Sequence, residues 1–444
     1  MNDDIIVAIA TSRLEAAISI IRLSGKDCIA FVQEFFTGHI LNKESHTITY
    51  GYIKDQDEKI DEVLVNIYRG KKTFTGEEMV EINCHGGVFI TQKVLNLCLK
   101  KGARMAEHGE FSKRAFLNGR IDLSQAEAIS DLITAKNDYA SSLALKGIQG
   151  NISHFIEDLR EDLIQIITQI EVNIDYPEYD DVEELTADLL LPKSQSLQKK
   201  MTHILESSKN IHLLKDGIST VIIGKPNVGK SSLLNALLNE DKAIVTDIAG
   251  TTRDIVEGTI RSDHIVLNMI DTAGIRETDD FVENIGVRKS KELIHKADLV
   301  LLVIDGSSPL TKEDKELLEL SKDTNRIIVY NKKDQGLIHD LKGISVSAKN
   351  NDIELLIQEI KNMFELGKIT SGQEDILANA RQIQLLEKAN QSLASAIEAM
   401  ENKIPTDLIV TDLYDAWENL KEILGERAKE DLLDELFKRF CIGK

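Results

Sequence analysis

One short loop constrains the fold of this chain more than any other feature. Residues 224–231 read GKPNVGKS, after the apolar run STVII and before the leucine-rich run SLLNALL. A glycine-rich loop that follows a strand and opens a helix is a Walker A loop, in which backbone N–H groups and the helix N-terminus face phosphate. Lys230 is expected to reach the β- and γ-phosphates and Ser231 to ligate Mg²⁺. The motif therefore predicts an α/β nucleotide-binding domain.

Three further motifs follow in the order that a guanine-nucleotide site requires: DTAG at 271–274, NKKD at 331–334 and SAK at 347–349. The first two end apolar runs that read as strands. Asp271 can hold the Mg²⁺ shell, and Asp334 can accept two hydrogen bonds from the guanine amide N–H and amino group, which adenine cannot supply. A buried acceptor without such partners is costly, so this pairing gives specificity. Together the motifs predict a GTP hydrolase.

Apolar patterning divides the chain into four stretches. Residues 1–120 alternate strand-like runs with glycines and read as α/β. In 121–212 and again in 371–444, apolar residues recur at three- and four-residue steps, which is typical of amphipathic helices. Residues 213–370 alternate strand, loop and helix, as a mainly parallel sheet covered on both faces requires. The predicted fold is a multidomain α/β plus all-α chain, in which a Ras-like P-loop G domain interrupts a helical domain.

Composition narrows the function classes. The 444 residues carry a formal charge of −21, whereas a protein that grips nucleic acid by itself normally has a basic surplus. A nucleic-acid role therefore needs a local basic patch or a partner. No apolar run approaches a membrane span, the acidic start does not resemble a secretory signal, and the four dispersed cysteines form no C-x-x-C pair. We expect a cytoplasmic protein without disulfides.

The residue that activates water is less obvious. Ras-like proteins place a water-orienting glutamine after the DTAG glycine, and this chain has Ile275 there. An apolar side chain cannot orient water, so the catalytic group must lie elsewhere. Nearby candidates are Arg276, Asp279, Asp280 and Glu283. An exposed acidic loop is the commoner fate of such a run, and the residues alone do not choose among these possibilities.

Several longer blocks resemble one family along the whole chain. FTGEEMVEINCHGG, GEFSKRAFLNGRIDLSQAEAISDLI, IVTDIAGTTRD, DTAGIRET and the terminal FCIGK are similar, in the same order, to the MnmE (TrmE) tRNA-modification GTPases. The resemblance implies an N-terminal domain that binds tetrahydrofolate and forms the homodimer, a helical domain and an inserted G domain. It also implies a partner, the FAD-dependent MnmG (GidA), with which the wobble uridine of certain tRNAs receives an aminomethyl or carboxymethylaminomethyl group. The one-carbon unit comes from a formyl or methylene folate, and tRNA is bound through the complex.

The resemblance further implies that K⁺ and Mg²⁺ act at the nucleotide. The implied K⁺ ligands are Asn227, Thr246, Ile248 and Thr251, and the Mg²⁺ ligands are Ser231 and Thr252. Glu283 matches the glutamate that orients the attacking water. K⁺ would then stabilise developing phosphate charge in place of an arginine finger, which would account for the absence of a glutamine at position 275.

The folate pocket implied by the family comprises Arg22, Glu81, Arg120 and Lys444. Cys441 matches the C-terminal family cysteine, which implies a catalytic role, although a core thiol beside Phe440 explains the residue equally well. The full set of predicted GTP-binding residues is Asn227, Val228, Gly229, Lys230, Ser231, Ser232, Thr246, Asp247, Ile248, Ala249, Gly250, Thr251, Thr252, Asp271, Thr272, Ala273, Gly274, Asn331, Lys332, Asp334, Ser347, Ala348 and Lys349.

Three alternatives share parts of this pattern. An RNA-binding assembly GTPase acting on ribosomes would have the same G domain, but it should also carry a basic module, and the helical stretches are not basic. A folate enzyme with a vestigial G domain conflicts with the intact Lys230, Asp271 and Asp334. A nucleotide-gated scaffold overlaps the preferred interpretation, because the GTPase can time a conformational change while its partner holds the redox cofactor.

Overall fold

The computed structural model describes residues 4–175, 190–208, 211–238, 256–262, 265–270, 294, 296–338, 342–364, 377–426, 430–438 and 440–443. The chain divides into two compact units, and each is described by itself. The first comprises Met1–Ser130, Gly147–Ser194 and Gln391–Lys444, and the second comprises Asp131–Lys146 and Gln195–Asn390.

The first unit contains a six-stranded sheet in the order β3-β4-β5-β2-β1-β6. All neighbours are antiparallel except β1 and β6. Its strands are β1 (Ile6–Ile9), β2 (Ile18–Ser24), β3 (Thr47–Asp55), β4 (Glu58–Tyr68), β5 (Met79–His85) and β6 (Arg104–Met105).

Alternation of buried and exposed side chains produces this sheet. In β4 the buried residues are Val63, Val65 and Ile67, and they pack in the N-terminal core. The strand-like runs of residues 1–120 are DDIIVAIAT, AISIIRLSG, EVLVNIYRG and EMVEINCHGG. They form β1, β2, β4 and β5, so their prediction as strands is confirmed. The edge strand β3 was not predicted, because its threonines and tyrosines give a weak apolar pattern.

The long helices fall in the stretches predicted as amphipathic. Asp122 caps the helix that begins at Leu123 by accepting the Gln125 N–H at 2.9 Å. The helices are α1 (Cys28–Gln33), α2 (Val88–Lys101), α3 (Glu110–Leu117), α4 (Leu123–Thr134), α5 (Asp138–Ile148), α6 (Asn151–Asp175), α7 (Leu191–Ser208), α8 (Ile211–Asp216), α9 (Lys230–Leu238), α10 (Lys312–Leu320), α11 (Glu354–Met363), α12 (Ala380–Glu401), α13 (Thr406–Leu424) and α14 (Glu430–Phe437).

The second unit contains the sheet that positions the phosphate loop. Its order is β12-β11-β10-β7-β9-β8, parallel throughout except for the β8–β9 pair. The strands are β7 (Ile218–Ile223), β8 (Val256–Ser262), β9 (Ile265–Ile270), β10 (Leu299–Asp305), β11 (Arg326–Asn331) and β12 (Ile344–Ser345).

This sheet confirms the predicted α/β G domain. The central strand β10 is buried on both faces through Ile304, as a sheet covered on both sides requires. One core contains Leu301 and Val303, and another contains Val300 and Leu302. The architecture is an N-terminal α/β domain, a helical part and a P-loop G domain. The exact domain boundaries given above stay a prediction.

The cysteines and the helices relate to the predicted redox state and location of the protein. The four cysteines are free thiols, with Cys28, Cys84 and Cys98 buried and Cys441 exposed. Within the described ranges, the structure has no helix with the length and apolar character needed to cross a bilayer.

Candidate functional site

The phosphate loop connects β7 to α9 with the backbone geometry that its glycines permit. Gly224 has φ +156° and Gly229 has φ +95°. A Cβ at Gly224 would lie 2.4 Å from the Val303 carbonyl oxygen, and one at Gly229 would lie 2.2 Å from Nδ2 of Asn331. Such contacts exclude side chains at both positions, because Cβ atoms do not approach so closely. The loop is therefore packed tightly against the ends of β10 and β11.

Lys230 begins α9, and its ammonium group lies over the loop. Nζ donates to the carbonyl oxygens of Gly224 and Lys225, both at 2.8 Å. Asn227 has φ +62° and is exposed, and Ser231 is exposed in the first turn of the helix. A phosphate oxygen at the helix N-terminus would lie within this ring of N–H groups and the lysine. The arrangement suits binding of a nucleotide polyphosphate.

Asn331 joins the phosphate loop to the two base-binding motifs. Its Nδ2 donates to the Val228 carbonyl at 2.9 Å, and its Oδ1 accepts the Ala348 N–H at 3.1 Å. The side chain is 3% exposed, so both bonds are shielded from water. Ser347 Oγ donates to Asp334 Oδ1 at 2.8 Å and aims a carboxylate that is otherwise exposed. Three of the four predicted motifs therefore meet at one end of the parallel sheet.

Lys332 belongs to the NKKD motif and Lys349 to the SAK motif, and the two lysines have different surroundings. Lys332 Nζ pairs with Asp305 Oδ2 at 2.7 Å at the end of β10, while Lys349 is exposed. Burial raises the pKa of the Asp305 carboxyl, but its hydrogen bonds from Lys332 and Ser307 outweigh that effect and lower the pKa overall. The ion pair thus holds the backbone that carries Asp334.

Part of the predicted site lies outside the described residues. Strand β9 ends at Ile270, immediately before the DTAG motif, which agrees with the predicted strand context. The predicted residues outside the described ranges are Thr246, Asp247, Ile248, Ala249, Gly250, Thr251, Thr252, Asp271, Thr272, Ala273, Gly274 and Glu283, with the candidates Arg276, Asp279 and Asp280. Of the implied ion ligands, Asn227 and Ser231 lie within the described structure.

The second candidate site is on the open face of the N-terminal sheet. Arg22 and Glu81 are cross-strand partners in β2 and β5, and Arg22 Nε and Nη2 lie 2.9 and 2.8 Å from Glu81 Oε1. Tyr68 OH donates to Glu81 Oε2 at 3.1 Å. Burial and the neighbouring Glu81 carboxylate raise the pKa of Tyr68. The structure brings two of the four implied folate residues into direct contact.

Aromatic rings form the walls of this second site. The Arg22 guanidinium lies 5.5 Å from the centroid of the Phe74 ring and 5.8 Å from that of Phe111. Tyr68, Phe74 and Phe111 were not predicted as site residues. The period-2 pattern of strands could have found Tyr68, which lies on the same face as Glu81 in the neighbouring strand, whereas Phe74 and Phe111 come from a loop and a helix.

The end of the chain completes the second site. Arg22 Nη1 donates to the Gly443 carbonyl at 3.0 Å, and Ile442 packs against the cluster that contains Phe111. Cys441 is exposed, so its interpretation as a core thiol is wrong; the ring of Phe440 is buried without it. Arg120 is also exposed, and Lys444 lies outside the described residues.

Comparisons with known proteins match this chain to one family along its length. A family model described as "MnmE helical domain" matches residues 123–441, and one described as "GTP-binding protein TrmE N-terminus" matches residues 5–120. The chain is 49% identical over 452 residues to the tRNA modification GTPase MnmE of Streptococcus pneumoniae (strain Hungary19A-6), covering 99% of each chain.

A second relative is similar to the same extent. The tRNA modification GTPase MnmE of Lactococcus lactis subsp. cremoris (strain SK11) is 48% identical over 448 residues, covering 99% of this chain and 98% of its own. Among solved structures, Aquifex aeolicus Era bound to GDP·AlF4⁻ is 27% identical, with 39% of this chain and 66% of that chain covered and a TM-score of 0.26.

Proposed function

Because this chain belongs to the MnmE (TrmE) family of tRNA modification GTPases, we propose that it is a K⁺-dependent GTP hydrolase that modifies the wobble uridine of tRNA together with the FAD-dependent MnmG (GidA). The modification adds an aminomethyl or carboxymethylaminomethyl group, using a folate-derived one-carbon unit. The observation that carries this proposal is the full-length relationship, with matches to both the N-terminal and the helical family models. The reaction takes place in the cytoplasm.

The geometry of the G domain supports guanine and triphosphate recognition at the predicted positions. Lys230 and the N-terminus of α9 face the phosphate side, and Asp334, aimed by Ser347, faces the base side. Asn331 links the two halves through hydrogen bonds to both loops. Mg²⁺ is held by Ser231 and Thr252 in this proposal, and the remaining GTP-binding residues are those of the set given above.

K⁺ supplies the additional positive charge at the phosphates. Asn227 is exposed at the crest of the phosphate loop, where its backbone is left-handed with φ +62°. Its amide oxygen is a suitable cation ligand, and Thr246, Ile248 and Thr251 complete the proposed set. Glu283 orients the attacking water, so the absence of a glutamine at position 275 is no obstacle to hydrolysis.

The N-terminal site has the chemistry that a tetrahydrofolate requires. A pterin is a flat ring with N–H donors and a polar edge, and the glutamate tail is anionic. Phe74 and Phe111 provide apolar surfaces beside the Arg22 guanidinium, and Glu81 provides acceptor oxygens that Tyr68 and Arg22 hold in place. Exposed Arg120 and terminal Lys444 add positive charge for the tail, and Cys441, which is exposed, acts in the reaction.

The open sheet face supports a homodimer. Residues paired across neighbouring strands form rows on this face. One row contains Tyr50 and Leu64, and the next row contains Ile48, Asn66, Glu81 and Arg22. Ile48 and Leu64 are 65% and 46% exposed, which is unusual for apolar side chains on neighbouring strands. We therefore assign this face to the interface between two copies, next to the folate site.

Mass spectrometry of wobble nucleosides tests the proposal as a whole. A strain that lacks this protein should lose the modified uridine. Wild-type protein should restore it, and Lys230→Ala should not, because Lys230 contacts the phosphates. Unchanged modified nucleosides in the deletion strain, combined with defective ribosome assembly, would favour the ribosomal GTPase instead. MnmG and tRNA should co-purify with the wild-type protein from the same cells.

A further inference from the structure

The second residue of the phosphate loop makes an unexpected contact. Lys225 Nζ lies 2.9 Å from Oδ2 of Asp314, which is in the first turn of α10. The Asp314 side chain is 1% exposed and that of Lys225 is 16% exposed. A lysine in a phosphate-binding loop would be expected to extend toward solvent or the anion. Here its charge is paired with the buried Asp314 carboxylate of α10.

Asp314 is also held in place by hydrogen bonds from Thr311, in addition to its contact with Lys225. Thr311 donates its N–H and its hydroxyl to Asp314 Oδ2 at 2.9 and 2.7 Å, which forms one side of a capping box. Burial raises the pKa of the Asp314 carboxyl, but the bonds from Thr311 and Lys225 outweigh burial and lower the pKa overall. The group is therefore an anion at neutral pH. Because a capping box is complete without a lysine, helix capping does not explain the ion pair.

The phosphate loop is anchored at three points. Gly224 packs on the Val303 carbonyl, Lys225 pairs with Asp314, and the Val228 carbonyl accepts from Asn331. The anchor at Val228 lies beside the helix N-terminus. The exposed crest of the loop, residues 226–227, lies between the anchors at Lys225 and Val228 and is fixed on its upstream side by Lys225. The Lys225 carbonyl also accepts from Lys230 Nζ at 2.8 Å, so moving Lys225 disturbs the phosphate-binding lysine as well.

We propose that Asp314 is a positioning residue for GTP hydrolysis, which fixes the crest of the phosphate loop by holding Lys225. The inference rests on the nucleotide site proposed above. Asn331 keeps the helix end of the loop in place through its own hydrogen bonds, so we expect binding of a nucleoside diphosphate to depend less on the ion pair than turnover does. Asp314 and Lys225 instead determine where Asn227 and Lys230 lie during turnover. A small displacement of groups around a reacting phosphate lowers the rate more than it lowers affinity.

Three variants of the full-length protein test this inference: Asp314→Asn, Lys225→Met and the double variant. We expect each single variant to lower kcat for GTP about tenfold or more, while its Kd for a fluorescent GDP analogue stays within about threefold of wild type. The double variant should be no slower than the slower single variant, because both changes remove the same contact. Lys225→Met can be measured even if Asp314→Asn fails to fold.

Thr311→Ala is the control for helix capping, since it removes the hydroxyl bond to Asp314 while the backbone N–H of residue 311 and Lys225 still hold the carboxylate. It should lower the melting temperature of the protein without changing kcat. Two results would overturn the inference: kcat of Lys225→Met within about twofold of wild type, or equal losses of kcat in Thr311→Ala and Asp314→Asn. Lys230→Ala tests the underlying site separately. If that variant bound GTP like wild type, the proposed nucleotide site itself would be wrong, whatever the ion-pair variants showed.

Discussion

At the scale of single residues, the proposed base specificity depends on Asp334. Ser347 fixes one carboxylate oxygen by a 2.8 Å hydrogen bond, and Asp334 is otherwise exposed. Replacing Asp334 with Asn puts a donor where guanine also donates. We expect Asp334→Asn to weaken GTP binding roughly 10–100-fold and to admit xanthosine triphosphate. Calorimetry with both nucleotides measures this, and wild-type binding of ATP as tight as that of GTP would contradict the assignment.

Asn227 is the described residue on which the K⁺ proposal depends. GTP turnover at saturating Mg²⁺ should be at least about tenfold faster in KCl than in NaCl at equal ionic strength, because the cation stabilises charge that develops on the phosphates. Asn227→Ala should remove the difference between the two salts. Equal wild-type rates in KCl and NaCl would show that K⁺ has no such role.

Replacing Glu283 tests whether this residue is the catalytic group or only part of an exposed acidic loop. As the water-orienting residue it acts in the transition state, so Glu283→Ala should bind a fluorescent GTP analogue normally and hydrolyse GTP about 10²–10⁴-fold more slowly. Asp279→Ala and Asp280→Ala change the charge by the same amount and serve as controls. Three similar, near-wild-type rates would place the catalytic group elsewhere.

At the scale of elements, the sequence predicts those parts of the fold that follow from periodicity. The apolar strands β7, β9, β10 and β11 could be read directly, since a buried parallel strand is a continuous apolar run. The antiparallel strand β8 and the edge strand β3 could not, because each owes its pairing to a neighbour rather than to its own pattern. Similarly, Phe74 reaches Arg22 through a loop whose path no local periodicity encodes.

The C-terminal tail is an element whose docking can be tested at one residue. Gly443 has φ +94°, and a Cβ there would lie 2.7 Å from the Ile9 carbonyl oxygen. Gly443→Ala should displace the tail from Arg22 and weaken binding of a formyl-tetrahydrofolate about tenfold, measured by calorimetry, since backbone strain of this kind costs about 1–3 kcal/mol. Gly102→Ala is the control: Gly102 also has a positive φ, +116°, but a Cβ there meets nothing within 4 Å. Equal affinities in the two variants would contradict a role of the tail.

At the scale of the whole molecule, dimerisation should depend on the open face of the N-terminal sheet. Leu64→Glu places a charge in the centre of that face, and burying an unpaired charge is costly. We expect light scattering after gel filtration to show a monomer that still binds GTP. Leu355→Glu in α11 provides a matched control, because Leu355 is 59% exposed outside that sheet. A dimeric Leu64→Glu protein would exclude this interface.

The hydrogen bond between Arg22 and Gly443 also has a consequence for biosynthesis. The two residues are 421 positions apart. Arg22 therefore lacks its carbonyl partner until the intervening residues have been translated. At about 5–20 residues per second, this delay is roughly 20–80 s. The N-terminal sheet can fold early during that time, but the Arg22–Gly443 hydrogen bond of the proposed folate site is still missing. A nascent chain would therefore complete the proposed folate site only after residue 443 has been made, well after its strands have paired.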